Sequence, residues 1–234
     1  MERKEPKHHG RSATRLNALR AAVLGADDGI VSVAGIVVGV AGATTNRTTI
    51  LTAGVAGLVA GALSMAAGEY VSVSSQKDSE KAILAREKEE LKNFPEEEFE
   101  ELVGIYRAKG LTKLTARQVA KELSAHDVFR AHAEAELRID PDELNNPWHA
   151  AIASAASFVA GAIIPVLATV VSPDSWRITV TVVAVVIALC ITGAFGAYAG
   201  GASKLKGAFR VVLGGLLAMA VTYAVGRLFG QHGI

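Results

Sequence analysis

One cysteine in 234 residues, Cys190 in an apolar run, excludes a disulfide framework and gives a single ligand where a thiolate metal cluster needs several. The chain has no phosphate-binding G-x-x-x-x-G-K-[ST] loop, which argues against a primary, ATP-driven pump. It also has no dinucleotide glycine signature between strand and helix, and no Ser/His/Asp arrangement for nucleophilic catalysis. The N-terminus MERKEPKHHGRSATR is basic but lacks the short apolar region and small-residue cleavage site of a signal peptide, so the first span is expected to serve as its own insertion signal. A net charge of +1 says nothing about partners, because the charges are segregated by region.

What is present is apolar sequence: 50% of the residues, gathered in long runs that a soluble fold does not need. The expected class is an all-α integral membrane protein with five transmembrane helices and a helical domain between the second and third. The spans read as Arg20 to Ala43, Ile50 to Ser75, Trp148 to Val171, Arg177 to Ala202 and Ala208 to Phe229. The first is roughly 36 Å of helix, interrupted only by Asp27 and Asp28. Nothing breaks the second helix at Ser75, so it should continue as a stalk. This divides the chain into an N-terminal arm (1–19), spans one and two (20–75), an acidic helical domain (76–147) and spans three to five (148–234). The acidic domain holds 17 of the 23 carboxylates. Pro95, Gly110 and Pro141 should cut it into about three helices, one of them starting at Leu114-Thr115.

Lys and Arg counts set an expected orientation. The N-terminal arm to Arg20 carries six and SKLKGAFR three, whereas TTNRTT and SPDSWR carry one each. The positive-inside rule puts the N-terminus and the acidic domain in the cytosol and the C-terminus outside. A faint repeat is also visible. VAGIVVG (33–39) resembles VAGAIIP (159–165), and AAGEYVSVSSQK (66–77) resembles AFGAYAGGASK (194–204), as though spans three and four repeated spans one and two.

An ionised Asp at mid-membrane costs roughly 2.5–3.5 kcal/mol, so Asp28 should face a cavity, a pore or a partner. It shares a helix face with Gly25, Ser32, Gly35, Gly39 and Gly42. That strip, with Gly54, Gly57 and Gly61 in span two, reads as a helix-packing face and predicts a homodimer through spans one and two. Met65 and Glu69 lie one turn apart, and a thioether with carboxylates suits a borderline divalent transition ion better than Mg2+ or Ca2+. In the acidic domain Glu87 and Glu90, Glu98 and Glu101, and His132 and Glu136 form pairs three or four apart, each projecting from one helix face. Three such helices could build a carboxylate-rich metal cluster, although acidic runs also serve as solvated faces.

The segments GADDGIVSVAGIVVGVAGA and LVAGALSMAAGEYVSVSSQKDSE resemble the vacuolar iron transporter family, and the similarity extends over essentially the whole chain. The resemblance implies a homodimeric secondary transporter, not an enzyme, that exports Fe2+ and often Mn2+ from the cytosol in exchange for protons, with Zn2+ or Co2+ as further candidate ions and no other cofactor. It matches Asp28 and Met65 to the pore carboxylate and methionine. It matches Glu87, Glu90, Glu98, Glu101 and Glu136 to the glutamates of the metal-binding domain. Glu69 and Asp27 remain open as members of the ion path. His132 departs from the Met of plant and fungal members, which bears on iron-over-manganese selectivity. The membrane would be the inner membrane of a bacterium or the vacuolar membrane of a plant or fungus. The competing reading is a membrane-anchored ferritin-like iron oxidase or storage module; it calls for Glu-x-x-His pairs, and the acidic domain has none.

Overall fold

The structure, a computed structural model, describes residues 9–142 and 144–231; residues 1–8 of the N-terminal arm lie outside them. Among the described residues seven α-helices follow in order: α1 (His9–Ala43), α2 (Arg47–Asn93), α3 (Pro95–Ala108), α4 (Lys113–His132), α5 (Pro147–Val171), α6 (Arg177–Ala199) and α7 (Lys204–Gln231). A π-helical turn at Ala133–Leu137 follows α4, and a 3-10 turn at Asp174–Trp176 precedes α6. Five of these helices, α1, α2, α5, α6 and α7, are long and apolar enough to cross a membrane.

The chain divides into two compact units, Tyr70–Pro147 and the residues on either side of it. Helix α2 supplies both, running 47 residues without a break, as the lack of Gly or Pro after Ser75 predicts. The bounds of the later spans differ from the sequence reading. Helix α6 ends at Ala199, where Gly201 takes a positive φ of 69°, and α7 begins at Lys204 instead of Ala208. The basic link SKLKG is therefore mostly first-turn helix, because only Gly200 to Ser203 are needed for the reversal.

In the membrane unit α1 is the central helix. Its positions Ile30, Ala34 and Val38, four apart, pack on Val185, Ala188 and Leu189 of α6 and Met219 of α7. Val33 and Val37, on another face, pack with Ile50 and Ala62 of α2 and Phe158 and Ala162 of α5. Helices α1 and α5 meet backbone to backbone: a Cβ on Gly161 would stand 2.0 Å from the Ala26 carbonyl oxygen. The outward faces carry Val55, Val59 and Leu63 on α2, Ile187 and Ile191 on α6, and Leu213, Leu217 and Val221 on α7, all exposed as lipid contact requires. Trp148 and Trp176 stand exposed at the starts of α5 and α6, where an interfacial aromatic belongs.

The strip of small residues read as a dimer face is largely used inside the chain. Gly35 and Gly39 lie against Thr222 of α7 and Gly42 against Tyr223, while Gly54 and Gly57 take Val37 and Ile36 of α1 and Gly61 takes the Phe158 ring. Small residues do admit close helix approach here, but the partner is a helix of the same chain.

The second unit is built from the α2 segment after Tyr70, α3, α4 and the π turn around Leu102, Val103, Ala116, Ala120 and Ala131. Pro95 opens α3 at a position where no N–H is needed, and Glu96, Glu97 and Glu98 fill a first turn that favours negative charge. Helix α4 starts at Lys113, two residues before the expected Thr115. Thr112 is its cap, its hydroxyl accepting from the Thr115 N–H at 3.2 Å.

Candidate metal centre

Four side chains converge in the second unit, and three features of the backbone aim them. Glu87 lies three residues after buried Leu84 on α2, and Glu98 lies four before buried Leu102 on α3, so both carboxylates follow the apolar stripe inward. Helix α4 is broken at Asp127 (φ −160°, ψ 99°), whose carboxylate accepts from the Arg130 N–H at 2.9 Å and restarts the helix that carries His132. The π turn then adds one residue to the following turn and carries Glu136 beside His132. Arg138 closes it in the left-handed region at φ 57°, and Arg130 ties it down through Glu134 at 2.7 Å and Asp142 at 3.0 Å.

The result is a tetrad of Glu87, Glu98, His132 and Glu136, the first three buried and Glu136 partly so, with one ligand atom from each lying within 4.8 Å of all the others. His132 Nδ1 stands 3.0 Å from Glu87 Oε1, 3.5 Å from Glu136 Oε2 and 3.6 Å from Glu98 Oε2. His132 is fully buried, Glu87 is 3% exposed and Glu98 8%. Proximity here is not satisfaction: both imidazole nitrogens, Glu87 Oε1 and Glu136 Oε2 are buried without a properly aligned hydrogen bond. Burial pushes the Glu87 carboxyl up to about 7, with the charges of Glu136, Glu98, Glu90 and Glu101 adding to it. Burial also raises Glu98, reinforced by Glu101 and partly offset by His132. Three acids and one imidazole that strain against one another when alone are a donor set that a divalent cation would satisfy, with an N,O mixture suited to first-row transition ions.

The VIT family pattern matches residues 19–227 of this sequence. Over 211 residues the chain is 47% identical to a "Vacuolar iron transporter" of Acanthamoeba castellanii, covering 90% of this chain and 78% of that protein. It is 39% identical to "Vacuolar iron transporter homolog 1" of Oryza sativa subsp. japonica (94% and 77% covered). It is 38% identical to "Vacuolar iron transporter homolog 4" of Arabidopsis thaliana (94% and 88% covered). The chain belongs to the VIT family. It is a multi-pass membrane protein of a transporter family and not an enzyme.

In this VIT-family protein the remaining candidate residues fall outside the tetrad. Glu90, partly exposed, pairs with Arg86 at 3.6 Å, and Glu101 is exposed; both act on the tetrad through charge. In the membrane unit, exposed Asp28 accepts from Ser32 at 2.7 Å, and Met65 turns its methyl toward Gly25, one helical turn from Asp28. Glu69, one turn beyond Met65, is partly buried. The structure also gives Asp27 a partner that the sequence did not suggest: its carboxylate accepts a hydrogen bond from Thr192 of α6. The only signal for Thr192 was a hydroxyl in the apolar run LCITGAF.

Proposed function

We propose that this VIT-family protein exports Fe2+, and Mn2+ with it, from the cytosol across a membrane in exchange for protons. The observation that carries the reading is the largely buried Glu87, Glu98, His132 and Glu136 tetrad, in which ligand atoms of Glu87, His132 and Glu136 lack hydrogen-bond partners and together form a cation-shaped set, in a family whose relatives are named as iron transporters. Glu90 and Glu101 add negative potential that draws cations toward it. In the membrane unit Asp28 and Met65 would bind the ion during passage, with Glu69 handing it on. A carboxylate can hold a proton when empty and lose it to an arriving divalent ion, which supplies the exchange. The working form would be a homodimer that brings two copies of Asp28 and Met65 together. The Lys and Arg distribution supports a cytosolic N-terminus and acidic unit, and the relatives' names point to a vacuolar membrane.

The test is metal flux in sealed vesicles with a fluorescent metal reporter inside and an imposed pH gradient. Export should rise when the receiving side is acidic, and added metal should drive protons the other way. Flux indifferent to the gradient, or an Asp28→Asn protein that transports normally, would refute the mechanism.

A further inference from the structure

The two ends of the membrane unit are not alike. At the end where α1 turns into α2 and α5 into α6, two arginines cross between the helix pairs. Arg47, the first residue of α2, donates to the Val170 carbonyl in the last turn of α5. Arg177, the first residue of α6, donates to the Thr45 carbonyl in the α1–α2 turn at 3.2 Å and pairs with Asp174 through its other terminal nitrogen. Each pair thus sends a guanidinium from the head of its second helix to the other pair, Arg47 to the last turn of α5 and Arg177 to the turn that follows α1. Arg177 is only 4% exposed, and its Nε has no partner. One turn below it Thr169 and Thr181 are fully buried, their hydroxyls 3.5 Å apart. At the opposite end, where α1 begins and α6 finishes, a cavity of about 420 Å3 opens along the α1–α6 seam between Leu19, Val23, Gly196 and Gly200.

We infer that Arg47 and Arg177 are the gate at the sealed end, and that both cross-pair bonds must break before cargo can leave there. The inference rests on the transport reading above. The helix pairs they join are the ones whose sequences resemble each other, and in transporters built from repeats one unit rocks against the other around a fixed site. Bonds that cross between units at one end stabilise the state closed at that end and contribute nothing to the state open there. The described conformation therefore has its far end shut. A guanidinium held inside the closed end also opposes the return of a cation from that side. Asp174, 77% exposed, holds Arg177 from the solvent side and leaves it free to swing outward with the α5–α6 turn.

Accessibility of the threonines behind the gate tests this. In a Cys190→Ser background, a single cysteine at Thr181 is reacted with a membrane-impermeant maleimide, using full-length protein in nanodiscs that leave both faces open to reagent. With both arginines present labelling should be slow. Arg47→Ala with Arg177→Ala should speed it at least tenfold, and Arg177→Gln, which can still donate one bond to Thr45, should fall between. A cysteine at Val171, already 73% exposed, should react equally in every background and reports on folding. If Arg177→Ala folds poorly, Arg47→Ala alone must still accelerate labelling, since Arg47 is exposed and its loss leaves nothing buried. Equal labelling with and without the arginines would overturn the gate. Faster labelling together with no metal flux in any variant would count against the transport reading while the gate stands.

Discussion

Replacing Glu87 with Gln should make the metal-free second unit more stable at alkaline pH and remove most of its pH dependence. The carboxyl is held at about 7 in the folded unit against an ordinary 4.5, so the folded state binds the proton more tightly than the unfolded chain does. Its stabilising effect is complete below pH 4.5, declines as pH rises, and is lost above about pH 7. At about 1.4 kcal/mol per tenfold, the full gap amounts to about 3.5 kcal/mol. Water reaching the half-open Glu136 side, and sharing of the proton among neighbours, reduce the expected change to roughly 1–2 kcal/mol. That corresponds to roughly 5- to 30-fold faster opening. The assay is amide hydrogen exchange of the intact protein followed at Leu102, Val103 and Ala120, corrected for intrinsic rates, between pH 5 and 8. Wild-type protection without metal should fall across that range, and Glu87→Gln should hold it level. Adding Zn2+ or Mn2+ should restore wild-type protection at pH 8, by up to about 2.7 kcal/mol at a hundredfold excess over Kd. Wild-type opening that ignores pH, or a Glu87→Gln protein with the same pH slope as wild type, would refute the electrostatic account of the tetrad.

Three further outcomes are expected. His132→Leu should lower Zn2+ affinity in titration calorimetry at least tenfold and Mn2+ affinity less, because the remaining ligands are all carboxylate and Mn2+ relies least on imidazole. Arg138→Gly should raise the unfolding midpoint of the second unit by the equivalent of about 1 kcal/mol, since φ 57° costs a side-chain-bearing residue about that much and glycine nothing, whereas Arg138→Val should lower it. Thr192→Val should destabilise the membrane unit by roughly 1–3 kcal/mol in a thermal shift assay by leaving the partly buried Asp27 without its donor, and Thr192→Ser should recover most of the loss.

The architecture was readable because a bilayer imposes a coarse requirement. About 20 apolar residues per crossing is a signal that survives errors of several residues at each end. The unbroken α2 was equally accessible, since it follows from the absence of Gly and Pro between Gly68 and Pro95. Helix ends were less so. The start of α4 depends on which of Thr112 and Thr115 serves as cap, and the two hydroxyls lie 2.9 Å apart in the same turn, so local sequence distinguishes them poorly. The glycine strip of α1 marked a close-packing face correctly as to chemistry. Sequence cannot say whether the approaching backbone belongs to the same chain, and here much of it is α7.

The site divided along the same line. Spacing places Glu87 with Glu90, and Glu98 with Glu101, on common helix faces, yet only the first member of each pair turns inward. The deciding contacts are Leu84 and Leu102, which set the buried direction of α2 and α3 so that Glu90 and Glu101 point toward the rim. The pairing of His132 with Glu136 is ordinary helical spacing on paper, but the backbone between them is π-helical and is preceded by a break at Asp127. A π turn costs hydrogen-bond quality and persists where the surroundings hold it, which Arg130 does through Glu134, Asp140 and Asp142. Arg130 thus supports the site without touching it, and no motif marks it. The arginines of the sealed end lay still further from view. Arg47 and its acceptor are 123 residues apart, and Arg177 and its acceptor 132. In the sequence each was one positive charge in a short loop, counted toward orientation. The scarcity of charge in those loops, which the positive-inside rule reads as the far side, also leaves these two guanidinium groups with few carboxylates nearby. Backbone carbonyls in the last turn of α5 and in the α1–α2 turn are the acceptors that remain.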